Sequence, residues 1–260
     1  MKNILLSENN KVIHIKLNRP EKRNAFNAEM IGELTDAFKR VDKNSARVVY
    51  LEGEGPSFCA GADLEWMKSI KDFSYEDNMK DSKVLFDMFM AVKKCPLPLI
   101  TRVHGHVMGG ANGLAAVSPL VAAENNTAFA FSEVKVGLVP AVISPFVLAK
   151  MNRSSAIEKM LTGRVFSVEE AQQGGLVQYV GDVHDVNMYI EKCIKRIKSA
   201  GPEAVFETAQ LLHRIEGERD WAKLKEITAK VISERRVSEE GQEGLNAFFE
   251  KRNPKWQEGL

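Results

Sequence analysis

Cysteine is scarce in this sequence, and neither sign of charge is in excess. Among 260 residues there are three cysteines, Cys59, Cys95 and Cys193, far apart and without a CxxC pair. That spacing argues against a zinc site and against a disulfide framework, and it fits a reducing, cytoplasmic setting. Lys and Arg number 36 against 35 Asp and Glu, a net charge of +1. No global field would draw in nucleic acid or an anionic membrane, and neither partner is expected. Secretory and transit signals are missing too. The opening MKNILLSENN has an apolar core of three residues, too short for a secretory signal, and it lacks the Arg/Ser-rich character of a transit peptide. Residues 105–123 carry no Lys, Arg, Asp or Glu, but their glycines, Asn112 and Pro119 make a poor spanning helix. Several enzyme signatures are also absent. Gly105, Gly109, Gly110 and Gly113 do not form GxGxxG, and there is no GK[ST], GxSxG or HExxH. Nicotinamide, nucleoside triphosphate, serine-hydrolase and zinc-protease chemistries are therefore disfavoured.

What is present suits a soluble globular protein of one large domain, or a domain with a smaller appendage: 44% of the residues are hydrophobic and 27% charged. Residues 12–17 alternate, with Ile13, Ile15 and Leu17 on one face, which predicts a half-buried strand. Asn27 is placed to cap a helix whose face is Met30, Ile31, Leu34, Ala37, Phe38 and Val41. Residues 47–51 read as a buried strand, so the chain opens strand, helix, strand. Asp63 is placed to cap a helix after CAGAD. Another helix is expected over 75–94, with Val84, Leu85, Met88, Phe89 and Val92 on one face, followed by a strand at 97–103. Short strands are expected at 120–123, 128–131 and 176–180, and helices at 114–117, 140–151, 153–161 and 168–173. From Pro202 the pattern is helical, ending in a helix at 239–249. A boundary at residues 200–202 divides an α/β core, 1–200, from a helical portion, 201–260.

Two strand-to-helix turns of small residues carry the chemistry: CAGAD at 59–63 and MGGAN at 108–112. Each can present an unpaired backbone N–H at a helix N-terminus, and two such donors converging on one oxygen would stabilise an enolate or another oxyanion. Either turn alone would merely let the chain bend tightly. Together, and followed by the single carboxylate of Glu133 in the apolar run FSEVKVGLVP, they point to half of an active site. By composition alone Glu133 would be a surface or ion-paired residue, Asp63 a helix cap, His104 and His106 hydrogen-bonded structural residues, and Cys59 a small buried residue.

The segments CAGADL, GHVMGGANG and FSEVKVGLVP, in this order, resemble the signature segments of the enoyl-CoA hydratase/isomerase (crotonase) superfamily. LNRPEKRNAFN near the start and EGLNAFFEKRNPKW near the end extend the resemblance over nearly the whole chain. It implies an α/β crotonase (ClpP-like) fold of repeated ββα units with a helical C-terminal trimerisation region, assembled as trimers or hexamers. It implies an acyl-CoA substrate and no separate cofactor or metal, since coenzyme A is part of the substrate. By this resemblance the thioester oxygen sits between the N–H groups of Ala62 and Gly110, and Glu133 moves the proton. Lys22, Arg23 and Ala25 match the early CoA-contacting loop, and Ala60, Asp63, Leu64, Gly109 and Gly113 would line the substrate. Phe248 and Lys251 match positions that reach a neighbouring subunit's CoA site.

Ordinary hydratases of the family hold water with two acids, and here the first acidic position is Gly113. If that position is vacant, Gly113→Glu is expected to alter hydration relative to isomerisation. The run FSEVKVGLVPAVISPFV with Gly113 resembles bacterial methylglutaconyl-CoA hydratase-like members of leucine breakdown. The alternatives are an isomerase with Glu133 as its only base and a catalytically weak crotonase-fold protein that binds CoA or RNA.

Overall fold

The computed structural model describes residues 1–258, so the last two residues of the expected C-terminal portion lie outside the described residues. Strands β1 (Ile4–Asn9) and β2 (Val12–Leu17) form an antiparallel hairpin with Ile4 opposite Leu17. Sequence reasoning found β2 and overlooked β1. Only Ile4 of β1 is buried, whereas Leu5 and Leu6 face outward at 49% and 47% exposure, so no alternation marks the strand.

Helix α1 (Ala28–Lys39) starts as expected, with the Asn27 side-chain oxygen accepting the Met30 N–H at 2.8 Å. It buries Met30, Ile31, Leu34 and Phe38. After β3 (Val48–Gly53) come α2 (Leu64–Ser69), capped by Asp63, and α3 (Tyr75–Lys93), capped by Ser74. On α3 Met88, Phe89 and Val92 enter the core, but Val84 stands 46% exposed, contrary to the periodicity. Then follow β4 (Leu99–Val103), β5 (His106–Met108), α4 (Ala111–Val117), β6 (Leu120–Glu124) and β7 (Ala128–Ala130).

Helix α5 (Ser144–Lys150) is shorter than the expected 140–151, because Pro140 to Ile143 form a turn that sends Ile143 inward. The chain continues through α6 (Arg153–Thr162), β8 (Val165–Phe166), α7 (Val168–Gln173) and β9 (Tyr179–Gly181). β9 begins later than the expected 176–180. Leu176 and Val177 are buried in the turn before it, so their apolar character reports packing rather than strand pairing. Helices α8 (Val183–Ser199), α9 (Pro202–Ile215), α10 (Trp221–Val237) and α11 (Glu239–Phe249) complete the chain.

The strands form two sheets. One has the order β1-β2-β3-β4-β6-β9, parallel except for the first pair, and the other is β5-β7-β8. The main core lies between them and α1, α3 and α4. On the opposite face of the large sheet, Val186 and Ile190 of α8 cover Val48, Ile100 and Ala122. The C-terminal helices bury little of themselves: Val231 alone on α10 and Ala247 alone on α11, while Trp221, Phe248 and Phe249 are exposed. Among the described residues no helix is long and apolar enough to cross a membrane.

Candidate active site

Three extended segments run side by side and in the same direction, and the candidate site lies at their common end. Segment 57–62 bridges β5 in parallel at Cys59 opposite Val107: the Cys59 N–H donates to the His106 carbonyl and the Met108 N–H to the Cys59 carbonyl, each at 3.1 Å. β5 pairs in parallel with β7, Met108 opposite Ala130. Ala62 and Gly110 both lie three residues beyond the bridged pair, so register alone brings them to the same level. Gly110 is the N-cap of α4, and Ala62 directly precedes Asp63, the N-cap of α2. Among the described residues neither the Ala62 nor the Gly110 N–H donates to a protein acceptor, and both residues have access to solvent. These are two free donors at adjacent helix N-termini, suited to an oxygen that gains negative charge.

The glycines beside them are there for space and conformation. Gly61 has φ +91°, and a Cβ there would fall 2.9 Å from the Met108 carbonyl oxygen, so the two turns pack backbone to backbone. Phe26 joins them from a third side. Its N–H donates to the Gly61 carbonyl at 2.7 Å, its carbonyl accepts the Asp63 N–H at 2.8 Å, and its ring lies against Gly110.

Glu133 follows β7 in a 3-10 turn, Ser132–Val136, that ends at the left-handed Gly137. Its carboxylate lies over the glycine turn: a Cβ on Gly109 would stand 3.4 Å from Glu133 Oε1. Glu133 Oε2 is buried without a hydrogen-bond partner among the described residues. Burial pushes its pKa above the ordinary carboxylate value, opposed only by a hydrogen bond from its own backbone. A desolvated carboxylate with a free oxygen is a base poised to take a proton.

Gly113 departs from expectation. A Cβ placed there would meet two ring carbons of Phe89 at 2.6 Å and Ile143 Cγ2 at 2.7 Å. The position is closed by apolar side chains, Phe89 being packed in turn on Phe146. A glutamate at residue 113 would have to displace them, so Gly113→Glu cannot simply supply a second acid.

The structure gathers most of the other expected residues around the first turn. The Ala60 N–H donates to the Arg23 carbonyl at 2.9 Å, tying the loop of Lys22, Arg23 and Ala25 to CAGAD. Lys22 is paired with Glu65 at 3.1 Å, and Leu64 stands exposed on the first turn of α2. Asp63 caps α2 through the Glu65 N–H at 2.8 Å. Phe248 and Lys251 are not brought to this site within one chain. Phe248 projects from α11, which packs on α9 and α10, and is 76% exposed.

The histidines are both hydrogen-bonded within the fold: His104 Nε2 lies 2.8 Å from the Gly55 carbonyl and His106 Nδ1 3.1 Å from the Ser57 hydroxyl. The Cys59 thiol is pushed up to about 12 by burial, as befits an inert core residue. Sequence reasoning missed Arg19, which donates to the Ala25 carbonyl and to Asp63 Oδ2, the latter at 2.7 Å. It also missed Phe89 and Ile143 as neighbours of Gly113, because nothing local marks a contact between distant segments.

A fold of this kind with paired backbone donors and one carboxylate defines a crotonase-type architecture. The family model described as Enoyl-CoA hydratase/isomerase matches residues 7–259, and the chain belongs to that family. A crystal structure of an enoyl-CoA hydratase from Shewanella pealeana is 36% identical, with a TM-score of 0.92, covering 98% of this chain and 96% of that one. Pseudomonas aeruginosa AtuE is 31% identical, with a TM-score of 0.93, covering 98% and 99%. The bacillaene synthase dehydratase PksH of Bacillus subtilis is 27% identical, covering 84% of this chain and 83% of PksH.

Proposed function

We propose that the protein adds water to, or removes it from, an α,β-unsaturated acyl-CoA, with Glu133 as the sole proton carrier. The observation that carries this reading is the desolvated Glu133 carboxylate, its Oε2 without a partner among the described residues, beside the turn that offers the Gly110 N–H. In the hydration direction the carboxylate takes a proton from water as its oxygen bonds to the β-carbon. The double-bond electrons move to the thioester oxygen, which the Ala62 and Gly110 N–H groups hold as an enolate. Collapse of the enolate takes the proton from Glu133 onto the α-carbon, so one carboxylate completes the cycle. The relationship to PksH, whose name states a dehydration, supports the lyase reading.

The resemblance of FSEVKVGLVPAVISPFV to methylglutaconyl-CoA hydratase-like members makes 3-methylglutaconyl-CoA the substrate to test first. Lys22 and Arg23 would meet CoA phosphates, Lys22 by exchanging its Glu65 partner for a phosphate. The core, 1–200, would assemble in the cytoplasm as a trimer or hexamer through 201–260, placing the exposed Phe248 and Lys251 at a neighbour's CoA site.

Isomerisation of an enoyl-CoA by Glu133 is a second reading, favoured by the apolar closure at Gly113, which leaves no second acid to hold water. Product analysis separates the two. The purified protein is incubated with 3-methylglutaconyl-CoA and with crotonyl-CoA, separately, in isotopic water. A product heavier by one water supports hydration, and label without added water points to isomerisation or simple proton exchange. No turnover across short, branched and dicarboxylic enoyl-CoAs, combined with tight CoA binding, would overturn both readings in favour of a binding protein.

A further inference from the structure

The proposal that follows rests on the oxyanion reading above. Asn112 is wholly buried in the first turn of α4, and its side chain takes no part in the proton transfer. Its Nδ2 lies 3.1 Å from the Val107 carbonyl oxygen, 3.1 Å from that of Gly109 and 2.9 Å from that of Ala130. Three carbonyls around one atom require a donor, so the amide can face only one way. Two protons serve three acceptors, one on β5, one in the glycine turn and one at the end of β7. Meanwhile Asn112 Oδ1 is buried with no partner among the described residues. An apolar side chain of similar shape would relieve Oδ1 but would take three hydrogen bonds from buried carbonyls, so the amide is placed for those carbonyls.

The peptide plane supplies the reason. The Gly109 carbonyl and the Gly110 N–H belong to one planar trans peptide, so whatever fixes the carbonyl fixes the direction of the N–H. The Gly109 carbonyl also accepts the Asn112 backbone N–H at 3.0 Å. Gly109 itself is left-handed, φ +51°, and has no side chain to restrain it. The same amide holds the Ala130 carbonyl, which also accepts the Gly109 N–H at 2.8 Å, just before the chain reaches Glu133. We infer that Asn112 is a positioning residue: its buried amide aims the Gly110 N–H at the thioester oxygen and keeps the Glu133 turn in register with it.

The test uses the whole 260-residue chain with Asn112→Leu, which has similar volume and no donor, and Asn112→Ser, which keeps one donor. Folding is checked by circular dichroism and urea unfolding. Bound 4-dimethylaminocinnamoyl-CoA serves as a probe whose absorbance moves to the red when its carbonyl is polarised. For Asn112→Leu we expect kcat to fall about 100-fold with KM changed less than about 3-fold, and the red shift of the bound probe to shrink. Asn112→Ser should fall between it and the parent.

A folded Asn112→Leu variant with the parental red shift and kcat within about 3-fold of the parent would overturn the proposal. Failure of both variants to fold would assign Asn112 to structure alone and overturn it equally. The probe also separates this proposal from the function reading. Absence of a red shift in the parent sinks the oxyanion site itself and this role with it. A parental shift that weakens in Asn112→Leu sustains the role even if Glu133 proves not to be the base.

Discussion

The two turns that offer a backbone donor are held in place by different chemistry. Turn 59–63 is anchored by a buried ion pair: Arg19 reaches Asp63, whose side chain is 4% exposed, at 2.7 Å, and Asp63 caps α2 with its other oxygen. Burial alone would raise the Asp63 carboxyl, but the Arg19 hydrogen bond and the helix-cap N–H hold it below the usual carboxylate range. Turn 108–112, inside the core, is anchored by the neutral amide of Asn112. A charge in the interior is tolerated only with a partner, whereas a neutral amide reaches several carbonyls without one. One pattern, small residues before a helix, is thus stabilised by a buried, paired charge in one turn and by a neutral amide in the other.

Four measurements would break or sharpen that contrast. The largest effect belongs to Glu133, which serves both turns. Glu133→Gln should lower kcat by about 1,000-fold while leaving acyl-CoA affinity largely intact. Because it removes a desolvated charge, the variant should unfold at a urea concentration no lower than the parent; undiminished turnover would remove Glu133 from the mechanism. Gly113→Glu comes next, for it drives a carboxylate into Phe89 and Ile143, and a loss of about 3 kcal/mol or more in urea unfolding is expected. A folded variant of parental stability would show that α4 is not closed there.

Asp63→Asn leaves Arg19 without its counter-charge. About 2 kcal/mol of stability and roughly tenfold in kcat should be lost, and a neutral outcome would show that turn 59–63 needs no ion pair.

The smallest effect is a separation of two acid responses. Hydration needs Glu133 ionised, so kcat/KM should fall as the pH drops through a pKa above the ordinary 4.5. Protonation there favours the fold, since the raised pKa means that the folded chain binds the proton more tightly. Asp63 acts in the opposite sense. Its stabilisation is present above the unfolded value near 3.8 and is lost as the pH falls below it. Activity should therefore fail at a higher pH than the fold, and simultaneous loss followed by circular dichroism would contradict the assignment.

Much of this was legible along the chain because it is local. Asn27 and Asp63 cap the helices their positions announced, the strand at 12–17 and the helix at 239–249 have their expected bounds, and both donor turns lie where small residues precede a helix. Errors arose where burial contradicts local pattern. β1 pairs through its backbone with two leucines outward, and Val84 sits on an apolar-looking face that the core does not cover.

By itself the sequence determined which groups could act: bare N–H donors after glycine and alanine, and one glutamate in an apolar run. Only the tertiary structure decided that Ala62 and Gly110 stand level, that Asn112 grips three carbonyls, and that Gly113 is closed rather than vacant. Those outcomes depend on the register of parallel strands and on contacts between segments far apart in the chain, and no local spacing encodes either.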